Sequence, residues 1–145
     1  MRLTDHTDYL LRDMMYLNQN KKLTTLNQLS EELGISRNNL IKVSTQLAKL
    51  GFIQTVRGRV GGIWLSEGAG KTTLKDIIRN TEETLDLASC FSNKDFQCTF
   101  RQGCLLKKSL QNALNAFLNS LGQITLNDVT PKGTGNLKKG DQIWF

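Results

Sequence analysis

The chain of 145 residues contains a single histidine and three cysteines, and it lacks the motifs on which common enzyme classes depend. Neither a Gly-x-Ser-x-Gly motif nor a P-loop is present, so nucleophilic hydrolases and phosphoryl-transfer enzymes have little support. The length suits one domain rather than separate cofactor and substrate lobes. These absences favour a binding protein over an enzyme.

Long apolar segments are also absent, since no stretch approaches the roughly 18 apolar residues that a membrane-spanning helix needs. The N-terminal segment has no apolar core of the kind found in signal peptides, and we therefore expect a cytoplasmic protein with no membrane partner. In the cytoplasm, three cysteines are expected to be thiols or metal ligands rather than disulfide partners.

Positive charge is concentrated in one segment of the chain. The formal net charge is +6, and no acidic residue occurs between Glu32 and Glu67. That segment carries Arg37, Lys42, Lys49, Arg57 and Arg59. Such an uncompensated basic segment favours a polyanion as the partner, and an ordinary solvated basic face is the alternative.

Two helices joined by a tight turn are predicted in the basic segment. Thr25 and Gln28 form a capping-box pattern before a short apolar stripe that ends at Gly34. Ser36 can then cap a second, longer helix. The pair, at about residues 26–50, is typical of a helix-turn-helix motif.

The second helix has one apolar stripe and leaves polar side chains outside, mainly in its N-terminal half. These residue types pair with base edges and phosphates, and this part of a recognition helix enters the major groove of DNA. The candidate DNA-binding residues on it are Arg37, Asn38, Asn39, Lys42, Thr45 and Gln46. An ordinary helical hairpin with a polar outer face is the alternative.

A β-hairpin is predicted directly after the helix-turn-helix, at about residues 52–65. Two short apolar runs flank a glycine-rich turn that carries Arg57 and Arg59. A hairpin in this position is a wing, and arginines at its tip can reach phosphates or a narrow minor groove. The helix-turn-helix and the basic wing together predict binding to double-stranded DNA.

Cys90, Cys98 and Cys104 follow in the second half of the chain, with seven and then five residues between them. A structural zinc site is disfavoured, because there is no C-x2-C pair and no nearby histidine. Three thiolates suit an iron-sulfur cluster that takes a further ligand from elsewhere. Three unrelated buried thiols are the alternative on spacing alone.

The helix expected at about residues 105–121 has a wide apolar face. Its stripe consists of Leu106, Leu110, Ala113, Phe117 and Leu121, flanked by Leu114 and Leu118. A helix this apolar exposes a large patch unless a partner covers it, so we expect a homodimer that reads palindromic DNA. Cover by the first helix and the wing of the same chain is the alternative.

Motifs spread over about residues 1–130 resemble a known family of regulators. They are Met1-Arg2-Leu3-Thr4, Thr7-Asp8-Tyr9, Leu40-Ile41-Lys42-Val43, the wing Arg57-Gly58-Arg59-Val60-Gly61-Gly62 and the cysteine trio. In this combination the chain resembles the NsrR branch of a family of dimeric iron-sulfur winged-helix repressors, the branch that responds to nitric oxide. The resemblance implies that Cys90, Cys98 and Cys104 hold the cluster.

The resemblance also bears on the remaining ligand of the cluster. A related branch, IscR, uses a histidine three residues past the last cysteine, where this chain has Lys107. In some NsrR proteins an aspartate of the first helix completes the coordination from the other subunit, and Asp8 matches that position. Arg12, one turn on, could orient the Asp8 carboxylate. The alternative for Asp8 is an acid that favours the helix dipole.

We therefore predict a mainly α fold with a small β-wing. The expected parts are a winged helix-turn-helix domain at residues 1–66, a cluster-binding loop and dimerisation helix at 67–130, and a flexible tail at 131–145. The expected function is that of a repressor, which releases its operators when nitric oxide attacks its iron-sulfur cluster. A 4Fe-4S cluster is expected, and a 2Fe-2S cluster is the alternative, because three thiolates suit either type. An iron or redox sensor of the same fold is the alternative, and an electron-transfer oxidoreductase has less support because no second cofactor site is visible.

Overall fold

The structure is a computed structural model that describes residues 2–92 and 97–132, and it confirms a mainly helical fold with one small sheet. In chain order the elements are helices α1 Asp5–Asn20, α2 Leu26–Leu33 and α3 Arg37–Lys49, strands β1 Ile53–Val56 and β2 Gly62–Leu65, a 3-10 helix Ala69–Lys71, and helices α4 Leu74–Thr81, α5 Ser89–Ser92, α6 Leu105–Leu121 and α7 Leu126–Val129. No helix within the described ranges is long and apolar enough to cross a membrane.

The predicted caps define the ends of α2 and α3. Thr25 and Gln28 form the expected capping box, in which the backbone N–H of Thr25 donates to Gln28 Oε1 at 3.0 Å. Gly34 ends α2 with φ 64°, and Ser36 Oγ accepts from the backbone N–H of Asn39 at 3.3 Å. Because both helix ends have their backbone groups satisfied locally, a turn of three residues is enough to connect them.

The wing is an antiparallel hairpin in which Ile53 pairs with Leu65. Its turn requires glycine at Gly61, because a Cβ there would lie 2.5 Å from the carbonyl oxygen of Val56. Thr24, in the segment before α2, adds a third short element to the sheet. Its N–H donates to the carbonyl of Ile63 at 2.9 Å and its carbonyl accepts from Ile63 N at 2.8 Å. The wing is thus tied to the base of the helix-turn-helix.

One hydrophobic core spans the chain, with α1 at its centre. Leu10, Met14 and Leu17 of α1 are fully buried, and the same cluster includes Ile77 of α4 and Leu126 of α7. The core therefore crosses the predicted boundary at residue 66, while the division into domains stays a prediction. The 3-10 helix Ala69–Lys71 follows this boundary directly, and its first two residues are buried, so it packs as part of the same body.

Helix α6 buries the two leucines that flank its apolar stripe rather than the stripe itself. Only Leu114 and Leu118 of α6 are buried, where the helix packs against α4, whereas Leu105 and Leu106 are 77% and 68% exposed. Within this single chain the predicted stripe therefore remains partly open to solvent. Dimerisation through it stays a prediction. The predicted tail lies outside the described residues beyond residue 132.

Asp13 is an acidic side chain inside the core. It is fully buried on α1, and neither carboxylate oxygen has a hydrogen-bond partner within the described residues. Burial disfavours the charged form and raises the pKa of Asp13 from 3.8 to about 7. The folded protein therefore binds a proton here over a pH range in which the unfolded chain does not.

Replacing Asp13 by Asn is expected to change how stability depends on pH. Because the pKa of the carboxyl is higher in the folded state, the native protein loses stability as pH rises from about 4 to about 7, by about 1.4 kcal/mol per pH unit. The free energy of unfolding of Asp13→Asn, measured in urea, should lack this pH dependence. Relative to the native chain, the variant should therefore become more stable as pH rises from 5 to 7. Glu83→Gln, at an exposed position, is the charge-matched control. Equal pH slopes for Asp13→Asn and the native chain would contradict the assignment.

Candidate nucleic-acid interface and cysteine cavity

A groove of about 680 Å³ lies between α3 and the wing. Arg37 and Thr45 line it from α3, and Arg57 and Arg59 line it from the wing turn. These four residues were predicted to bind DNA from two separate motifs, and the fold brings them to one surface. The contact between α3 and β1 places them there, because it holds the hairpin beside α3.

The basic side chains of this region have no acidic partners. The ion pairs among the described residues include Arg2 with Asp5 and Arg12 with Asp8, both on α1 or just before it. No ion pair within residues 2–92 and 97–132 involves any cation of the basic segment, which comprises Arg37, Lys42, Lys49, Arg57 and Arg59. The groove and its rim therefore carry uncompensated positive charge, which attracts phosphates.

The remaining predicted residues of α3 occupy different positions around the helix. Asn38 and Lys42 are exposed and Asn39 is half-buried, and none of the three lines the groove. The Thr45 hydroxyl donates to the carbonyl of Ile41 at 2.7 Å. Gln46 lies away from the groove, with its amide between His6 of α1 and the backbone of α4.

Sequence reasoning missed three polar residues of the groove. Asn27 near the start of α2, Ser44 of α3 and Thr55 of β1 all line it. Ser44 is buried, and its hydroxyl has no hydrogen-bond partner among the described residues. A signal existed for Asn27, since the first helix of a helix-turn-helix crosses the DNA backbone. No sequence signal indicated the other two.

A second cavity, of about 790 Å³, is lined by all three cysteines. Cys90 on α5 and Cys104 before α6 are half-buried, and Cys98 is exposed. Cys104 is the N-cap of α6, and its Sγ accepts from the backbone N–H of Lys107 at 3.4 Å. Residues 93–96, between Cys90 and Cys98, lie outside the described residues.

Lys107 connects the two sides of the cysteine cavity. Its Nζ donates to the carbonyl of Cys90 at 2.9 Å and lies 5.5 Å from the centre of the Phe91 ring. The sequence indicated only that Lys107 replaces a histidine ligand, so this bridging contact was missed. The lysine positions α5 against the start of α6, and thereby Cys90 near Cys104.

The cysteine side chains that line the cavity are suitable ligands for an iron-sulfur cluster. Soft thiolates are the ligands such clusters take, and three thiols face one space without a competing disulfide among them. The three are not drawn together to ligand spacing: within residues 2–92 and 97–132 no three His, Cys, Asp or Glu side chains form a metal-holding group. Binding would thus require the cysteine-bearing segments to close around the group.

Asp8 lies on α1 and does not line the cysteine cavity of its own chain. Its carboxylate is 55% exposed and pairs with Arg12, with 2.5 Å between Oδ2 and Nη2. The Arg12 guanidinium also lies 5.3 Å from the centre of the Tyr9 ring. The expected contact between Arg12 and Asp8 is thus present, whereas a ligand role for Asp8 needs a second copy of the chain.

Comparison with known proteins gives close relatives among regulators. Residues 3–132 match the family model described as Rrf2, iron-dependent transcriptional regulator. The HTH-type transcriptional regulator NsrR of Bacillus licheniformis is 37% identical over 131 residues, which cover 89% of this chain and 92% of that protein. The NsrR of Bacillus subtilis is 36% identical over 131 residues, 89% of this chain and 90% of that protein.

Solved structures share the fold. CymR of Staphylococcus aureus in its oxidised form has a TM-score of 0.72 at 22% identity, with 92% of this chain and 98% of that chain covered. IscR of T. potens has a TM-score of 0.67 at 23% identity, with 88% and 85% covered. The winged-helix arrangement is therefore the one found in solved regulators.

Removing the wing arginines is expected to weaken binding to duplex DNA irrespective of sequence. Arg57→Gln and Arg59→Gln should each lower the salt dependence of binding by about one unit of slope, because each would remove one predicted phosphate contact. Fluorescence anisotropy with a labelled duplex over a salt series measures this slope. Lys108→Gln on α6 removes the same charge far from the groove and should leave the slope unchanged. If Arg57→Gln, Arg59→Gln and Lys108→Gln all have the same salt dependence, the wing arginines do not contact the DNA.

Proposed function

Because the chain belongs to the Rrf2 family of transcriptional regulators, as an NsrR-type member, we propose that it is a dimeric repressor which binds a palindromic operator and releases it in response to nitric oxide. The observation that carries the DNA-binding half is the groove between α3 and the wing, where cations of two motifs share one surface without acidic partners in the described residues. A protein that bound no polyanion would gain nothing from this arrangement of charge.

In the proposed complex, α3 enters the major groove and the wing follows the backbone. Arg37, Asn38, Asn39, Lys42 and Thr45 are the candidates for contacts with base edges and phosphates. Arg57 and Arg59 reach phosphates or a narrow minor groove. Gln46 was predicted with the α3 set, but its hydrogen bonds to His6 and Asn80 support a role within the protein instead.

Dimerisation is proposed to use the open apolar face of α6. Leu105 and Leu106 are exposed and Leu110 and Phe117 are half-buried, which leaves a surface that a second copy of the chain could cover. A two-fold dimer would present two α3 helices to successive major grooves, about 34 Å apart. The palindromic operator follows from that symmetry.

The sensing site is proposed to consist of Cys90, Cys98 and Cys104 of one subunit and Asp8 of the partner subunit. These residues would hold an iron-sulfur cluster, 4Fe-4S in the first instance and 2Fe-2S as the alternative. When bound, the cluster supplies an iron that can take up a small diatomic in place of a weak ligand. A carboxylate oxygen is a hard donor and exchanges more easily than thiolate, so the bond from Asp8 would be the weakest of the four protein ligands. Arg12 orients the Asp8 carboxylate.

An iron or redox sensor of the same fold is the second candidate. The description of the matching family as iron-dependent supports it. The two candidates use the same cysteines and the same DNA surface. They differ only in the signal that ends DNA binding.

Anaerobic purification followed by a gel shift decides between these functions. We expect a coloured protein that contains iron and sulfide, shifts a duplex selected from a random pool, and releases it after nitric oxide is added. Loss of binding on iron chelation with no response to nitric oxide would favour the iron sensor. A colourless, iron-free protein that still binds DNA would contradict both sensing candidates.

Asp8→Ala is expected to alter the visible absorption of the anaerobic protein and its reaction rate with nitric oxide, since it removes the proposed oxygen ligand. Asp5→Ala is the matched control, because Asp5 is also an acid of the first turn and is paired with an arginine, Arg2, at 2.8 Å. Stopped-flow absorbance compares the two variants with the native chain. Identical spectra and rates for both variants would reject Asp8 as a ligand.

A further inference from the structure

Gln46 lies at a junction of three helices. His6 Nε2 of α1 donates to Gln46 Oε1, and Gln46 Nε2 donates to the carbonyl of Asn80 in α4 at 3.3 Å. The only histidine of the chain is thus in contact with the recognition helix. Both polar groups of the Gln46 amide are used within the protein, which leaves few of its hydrogen bonds for a base edge.

The same ends of α1 and α4 are bonded to each other. Thr4 donates to Glu82 Oε1 from its backbone N–H at 2.8 Å and from its hydroxyl at 3.1 Å. One turn further along α1, Thr7 Oγ1 donates to Thr81 Oγ1 at 3.2 Å, and both side chains are buried. The start of α1 and the end of α4 therefore form one hydrogen-bonded unit, and Gln46 attaches α3 to it.

This unit is adjacent in sequence to the residues of the proposed sensing site. Asp8 follows His6 by two residues on α1, and the chain leaves the end of α4 for the segment that carries Cys90. His6 and Asn80, the two partners of Gln46, therefore stand on the helices that continue into those residues. The groove side of α3, which carries Arg37 and Thr45, is a different face of the same helix.

We propose that Gln46 is a positioning residue that couples α3 to the joined ends of α1 and α4, so that DNA affinity depends on the state of the cysteine segment. This inference rests on the proposed function. It adds to that function the contact through which the sensing segments would act on the recognition helix. Coupling between two sites requires an element that both of them bias, and the amide of Gln46 is that element here.

The test compares Gln46→Met and His6→Phe with the native full-length chain. Each variant keeps the size of the side chain and removes one side of the contact, and Gln123→Met, after α6, is the matched control. The probe is a duplex selected from a random pool by the native protein. Its dissociation constant is measured before and after iron chelation, and the ratio of the two values reports the coupling.

We expect Gln46→Met and His6→Phe each to reduce this ratio by roughly 2- to 10-fold, the range that one lost hydrogen bond allows. The base preference, determined by repeating the selection with each variant, should stay that of the native chain. If Gln46 reads a base instead, Gln46→Met will weaken both states equally and change the selected sequence. Either that result or a native ratio in His6→Phe overturns the inference.

A third measurement does not depend on the cluster. Urea unfolding of the metal-free native chain, both single variants and the double variant gives the interaction between His6 and Gln46. A non-additive result supports the contact, and strict additivity rejects it. A native protein that selects no duplex at all would contradict the proposed function, while this cycle would still decide whether the contact exists.

Discussion

Burial of one face of α1 is the constraint on which the rest of the structure depends. Leu10, Met14 and Leu17 are fully buried, and α1 packs against α3, α4 and α7 at once. At about 1.5–3 kcal/mol for each fully buried side chain, this stripe is a main source of stability. α3, the proposed recognition helix, and α4, which leads to the cysteine segment, both pack against it. The hydrogen bond from Gln46 to the carbonyl of Asn80 adds a direct link between α3 and α4.

The core places the helices, and the positive charge of α3 and the wing then determines what the protein can bind. Asp5 and Asp8 pair with Arg2 and Arg12 on or near α1, whereas no ion pair among residues 2–92 and 97–132 involves a cation of α3 or the wing. Mutual repulsion among like charges is a cost in the free protein, and it is relieved when phosphates approach. Asp13 is the opposite case, because burial in the core raises the pKa of its carboxyl to about 7 and so keeps it partly protonated near pH 7.

Much of the fold could be predicted because its signals are local. Thr25, Gln28 and Ser36 cap their helices through neighbours three residues away, so a short stretch of sequence contains the whole interaction. The role of Gln46 could not be predicted, since His6 is 40 residues distant and only the tertiary packing brings it near. The same reason explains the missed contact of Lys107 with Cys90. The buried side of α6 was not predictable either, because its apolar face is wider than the surface that α4 covers.

In the proposed mechanism, the state of the cysteine segment sets the placement of α3 in a dimer. The most direct test is the distance between two spin labels, introduced as an unnatural amino acid at the exposed position Lys49 at the end of α3, in the anaerobic dimer before and after nitric oxide. We predict a separation compatible with recognition helices about 34 Å apart when the protein binds its operator, and a different or broader distribution after nitric oxide is added. An unchanged distance accompanied by loss of DNA binding would contradict it.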